Sequence, residues 1–150
     1  MARPFPLQML LQHASHRMEA AERMLRALRR KEDAARQRLE EIHGYKREYQ
    51  ERMTGAGARG VEIQLLREYH AFLIKIDQAI KHQESEVEKA KENWLAAHKK
   101  WMELRRQVQS YEVLEQRHGA TERQLDEKRD QRATDETAAR RLGPLGETAY

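Results

Sequence analysis

Residues 54–65 read TGAGARGVEIQL, and within them Gly55, Gly57 and Gly60 spell G-x-G-x-x-G. In a dinucleotide-binding unit that spacing follows a buried strand and opens a helix whose N-terminus faces a pyrophosphate. Here the stretch follows YKREYQERM (residues 45–53), a charged pattern of helical type. The chain has no run of β-branched residues able to build a parallel sheet, and it has no G-x-x-x-x-G-K-[ST]. Asp77, twenty residues after Gly57, carries no weight in a chain so rich in acids. The stretch therefore reads as a turn, and the fold is decided by what stands on either side.

Upstream, Leu11, Ala14, Met18, Ala21, Leu25, Leu28, Ala35, Leu39, Ile42, Tyr49 and Met53 recur at steps of three and four, with Glu32 and Lys46 the polar residues in the register. Such a heptad stripe requires a partner helix. Pro4 and Pro6 suit entry into a helix, since the first turn has no intrahelical use for the missing N–H. Downstream, the stripe resumes with Leu65, Tyr69, Phe72, Ile76, Ile80, Val87, Ala90, Trp94, Ala97, Trp101, Leu104, Val108 and Tyr111, with Gln83 in register. The four-residue steps Phe72–Ile76–Ile80 read as a stutter. Gly119 interrupts the pattern, and Thr121 with Gln124 reads as a capping box that restarts the helix.

The expectation is an all-α fold: two long helices, about 6–53 and 61–141, joined by a turn at 54–60. They form one antiparallel coiled-coil hairpin domain over 1–150, with a flexible tail at 142–150. The first helix would span about 70 Å. The core is assigned to Met18, Leu25, Leu28 and Leu39 on the first helix, and to Ile80, Val87, Trp94, Trp101 and Leu104 on the second. Pairing from the turn exhausts the first helix opposite about residue 107, so Val108, Tyr111 and Leu114 would stand beyond it.

Composition limits function. Charged residues make up 36% of the 150 and apolar ones 39%, a balance that fits a narrow seam along helices better than a broad core. With no cysteine, disulfides and thiolate chemistry are excluded. Residues 1–12 do not read as a signal peptide, and no window reaches eighteen apolar residues, so a cytoplasmic protein without membrane insertion is expected. His13 and His16 stand one turn apart, but no third ligand is near, and no metal or cofactor is expected. No catalytic motif occurs, and carboxylates along a solvated hairpin have no environment to tune them. Of 29 Lys and Arg, 13 fall in residues 1–60 against 8 Asp and Glu, leaving 16 against 17 in the remainder. The basic excess around LRRK (28–31) is interleaved with acids and reads as a solvated face, not a nucleic-acid site.

Aromatic residues gather near the turn. Tyr49 and Phe72 lie in the stripes, which favours packing inside the tip. Tyr45 flanks Lys46 and should lean outward, and tyrosine is a frequent anchor in binding surfaces. With Ile42, Ile76 and Ala79 the alternative is an exposed binding patch.

The order and spacing of YKREYQERM, a short turn, YHAFLIKIDQAI (69–80), Trp101, YEVLEQRH (111–118) and RQLDEKRDQ (123–131) resemble the FliJ family. That family is the small coiled-coil component of the bacterial flagellar type III export apparatus. The resemblance implies a hairpin similar to the stalk subunit of rotary ATPases. It also implies partners: a hexameric flagellar export ATPase, the cytoplasmic domain of the export gate, and export chaperones. The location implied is the cytoplasmic face of the membrane at the flagellar base. Carried onto this chain, the gate-binding surface is Ile42, Tyr45, Tyr49, Phe72, Ile76 and Ala79, and the opposite end enters the ATPase as a monomeric rod. The alternatives are a self-associating structural coiled coil and the equivalent component of a virulence type III secretion system.

Overall fold

The computed structural model describes residues 3–60 and 62–142; of the tail expected at 142–150, Leu142 is still helical and the rest lies outside the described residues. Two helices account for nearly all of it, α1 (Gln8–Gly57) and α2 (Ile63–Leu142), packed against each other as a helical hairpin. The first helix is entered through a turn at Pro6 and Leu7, where the Gln8 N–H donates to the Phe5 carbonyl at 3.2 Å.

The glycine stretch divides its labour in a way the sequence does not announce. Gly55 and Gly57 are helical, so α1 runs four residues past the expected end at 53. The helix is then wound off by hydrogen bonds from Ala58 N to Thr54 O, Arg59 N to Ala56 O and Gly60 N to Gly57 O. Only Gly60 takes the left-handed backbone, with φ of 84°, a region that β-carbons disfavour. Among the described residues the reversal therefore begins at Ala58–Gly60, and α2 starts at Ile63.

Two compact units form, and α1 and α2 contribute to each. In the unit Glu19–Met102 the helices are antiparallel. Tyr49 meets Tyr69, Lys46 meets Asp77, Gln83 Nε2 donates to the Ala35 carbonyl, and Trp101 Nε1 donates to Glu22 Oε1. Its most buried apolar residues are Ile76 and Ile80. Leu25, Leu28, Leu39, Val87, Trp94 and Trp101, expected as core, are half-buried. This is what a two-helix seam permits, because each side chain is covered from one side only.

The α2 stripe differs from the expected one at two places. Leu73 is half-buried while Phe72 is exposed, so the steps run Tyr69–Leu73–Ile76–Ile80 and the stutter disappears. Alternating steps of four and three then continue without interruption through Gln83 to Tyr111.

The second unit contains residues 1–18 and 103–150. Leu11, Ala14 and Val108 make a buried cluster, with Met18 and Tyr111 against it; Leu104 is buried as well. Val108 and Tyr111 are thus covered by α1, correcting the expectation that they stand beyond it; the extra turn of α1 at Gly57 shifts the pairing along the helices. Covering extends further still. Glu122, buried, accepts the Arg3 N–H at 3.4 Å, His118 Nε2 donates to the Arg3 carbonyl at 3.0 Å, and Phe5 lies 5.8 Å from the His118 ring. The segment before α1 is clasped to α2 by these contacts. Beyond it, residues 123–142 are exposed apart from the half-buried Asp126. Gly119 does not break the helix, and Thr121 does not cap a new one, since its hydroxyl donates back to the Arg117 carbonyl at 2.9 Å. The helix was already under way, so the hydroxyl bonds backwards rather than to a free N–H.

Candidate functional site

The aromatic residues near the reversal all belong to the unit Glu19–Met102. Tyr49 is the hub. Its ring lies 4.3 Å from Phe72 and 5.3 Å from Tyr69, the latter pair stacked with 24° between planes. Both separations fall in the range of favourable aromatic pairs. Phe72 reaches Tyr49 from one position before the seam residue Leu73. Tyr45 likewise stands one position before the seam residue Lys46. In an antiparallel pair of right-handed helices, the positions preceding the seam project to the same side of both helices, and the Tyr49–Phe72 contact fixes that side.

On that side Tyr45 is 63% and Phe72 41% exposed. Ala79 is exposed too, while Ile42 and Tyr49 are half-buried at the border. Ile76 is different: at 8% exposure it sits in the core beneath the face. Packing and surface are therefore both present. Ile76 and Tyr49 hold the helices together, and Tyr45, Phe72 and Ala79 are open.

One residue on this side escaped the sequence reading. Leu65 and Leu66 are exposed alike, at 44% and 46%, so the structure closes neither into the seam. Leu65, seven residues before Phe72 and exposed, stands on the same side as Phe72. The signal was ambiguous because adjacent leucines satisfy either register. On the other side of the seam, Lys46 Nζ donates to Asp77 Oδ1 at 2.7 Å, which turns the lysine out of the apolar stripe and pins the helices against sliding.

His13 and His16 are exposed. Among the described residues no group of three or more His, Asp or Glu is placed to hold a metal ion, and no helix is long and apolar enough to cross a membrane.

A helical hairpin with a narrow seam and an exposed aromatic side defines the class: an α-helical coiled-coil protein. The family model described as Flagellar FliJ protein matches residues 3–143, and the chain belongs to that family. It is accordingly a flagellar export-related coiled-coil protein, of a family of non-catalytic accessory proteins. No curated protein and no solved structure gives a significant match.

Proposed function

We propose that this chain serves flagellar protein export as a stalk-like coiled coil between the hexameric export ATPase and the cytoplasmic domain of the export gate, and that it escorts export chaperones. It works in the cytoplasm, at the inner face of the membrane at the flagellar base. The observation that carries the gate contact is the exposure of Tyr45 beside Phe72 in a FliJ-family hairpin. A large, stiff side chain with a polar end loses little conformational entropy on binding and gains much contact area. The contact residues are Ile42, Tyr45, Tyr49, Phe72 and Ala79, with Ile76 supporting them from beneath. Leu65 extends the surface towards the reversal.

Tyr45→Ala is the decisive variant, because it removes exposed area without touching the Tyr49 ring contacts. Titration of the purified gate domain should give an affinity lower by about tenfold or more, a common loss for an aromatic anchor. Helicity by circular dichroism should stay at the parent level. Equal affinity of variant and parent would remove Tyr45 from the gate contact.

A further inference from the structure

A second surface lies in the same unit but on the opposite side of the seam. On α2, Leu95, His98 and Met102 follow one another at steps of three and four. On α1, Glu22, Arg26 and Arg29 do the same. The two stripes face each other across Trp94 and Trp101. Trp101 Nε1 donates to Glu22 Oε1 at 3.2 Å, and the Arg29 guanidinium lies 5.2 Å from the Trp94 ring centroid. His98 bridges the two indoles, 5.0 Å from Trp94 in a stacked arrangement and 5.7 Å from Trp101. Above this aromatic floor Leu95 is 49% and Met102 38% exposed.

On this side of the seam Arg26, Arg29 and Lys91 each follow a seam residue, as do Glu22 and Asp33. Arg29 is held near Glu32 and Asp33, whereas Arg26 has no ion-pair partner among the described residues. Exposed aliphatic groups at helical spacing, half-buried tryptophans and an uncompensated arginine are the composition of an interface core with a charged rim.

We infer that this groove docks an acidic amphipathic helix from a partner protein. Apolar side chains of the incoming helix at three–four spacing lie along Leu95, His98 and Met102, in the manner of a third helix laid into a two-helix groove. Its flanking carboxylates face Arg26 and Lys91, which steers encounter and fixes orientation. A second copy of this chain fits less well, because a two-fold contact sets the basic patch against itself. Single-stranded nucleic acid also fits less well. It stacks bases on open ring faces, and here one face of Trp94 is taken by His98 and Arg29 lies over the ring. The surface is separate from the tip and does not depend on the gate contact.

Trp94 and Trp101 are the chain's two tryptophans, so intrinsic emission of the full-length protein reports on this groove. The probe is a synthetic helical peptide with leucine at three–four spacing and glutamate elsewhere on its flanks, set against a version with lysine for glutamate. The acidic peptide should shift the emission saturably and the lysine version should not. Arg26→Glu, and separately Leu95→Ala with Met102→Ala, should each weaken the acidic peptide by about tenfold or more. These positions are exposed, and far-ultraviolet circular dichroism will verify that each variant folds. Tyr45→Ala should leave the titration unchanged; a loss there would place the peptide at the tip and overturn the assignment. The inference also fails if no saturable shift occurs, if both peptides act alike, or if the groove variants bind as the parent does. It fails equally if Leu95→Ala with Met102→Ala abolishes a concentration-dependent dimer, or if a single-stranded oligonucleotide reproduces the shift with the same sensitivity to Arg26→Glu.

Discussion

Glu32 occupies a seam position on α1 and is 2% exposed. Its Oε1 pairs with Arg36 Nη2 at 2.6 Å, while Oε2 has no hydrogen-bond partner and is 3.8 Å from Arg29 Nη1. A buried carboxylate so incompletely met is a net cost, which coiled coils tolerate where a polar group fixes the register. Glu32→Leu should therefore raise the unfolding free energy by about 1–2 kcal/mol in urea titration. A fall of that size would show that the ion pair outweighs its desolvation. Gln83, the other buried polar residue of this unit, is in the opposite situation, since Nε2 donates to the Ala35 carbonyl at 2.9 Å. Gln83→Ala should lower stability by about 1–2 kcal/mol in the same titration, through the lost bond and the lost packing. Both residues were legible as polar members of the stripes. Which of them is satisfied was not, because that depends on the facing backbone and on where the Arg29 and Arg36 side chains reach.

At the scale of the helices, the heptad stripes carried the fold, and errors arose where neighbouring residues fitted two registers. Phe72 with Leu73 is such a pair, and spacing alone does not choose between adjacent apolar side chains. The end of α1 was misread for a related reason. Three glycines in six residues look like one turn, yet a helix already wound through fifty residues carries two of them at about 1 kcal/mol each. Their substitution separates the roles. A β-carbon at Gly55, Gly57 or Gly119 meets nothing within 4 Å, so alanine at each should stabilise by about 0.5–1 kcal/mol, seen as a higher thermal midpoint. Gly60→Ala should instead lower that midpoint, by about 1–2 kcal/mol of stability, because its φ of 84° strains any L side chain although space is open. If all four alanine variants shifted the midpoint alike, Gly60 would not be the residue that reverses the chain.

For the molecule as a whole, class and pairing direction were readable because the stripes, the turn and the charge content agreed. The offset of that pairing was not, and with it the extent to which α2 is covered. The patch near the reversal was half legible: Tyr45 was expected to lean outward and does, while the spacing put Ile76 and Phe72 alike in the stripe, and only Ile76 is buried. A chain with 36% charged residues, whose seam is filled from within, is expected to sediment as a monomer; a concentration-dependent dimer would favour the self-associating alternative. The clasp at the start of the chain has one more consequence. Glu122 and His118 hold residue 3 through its N–H and its carbonyl oxygen, not through the arginine side chain. Almost any amino acid offers those same two groups, proline alone lacking the N–H. Evolution is thus left free to rewrite position 3 while 118 and 122 stay constrained, a contact whose two halves should diverge at very different rates.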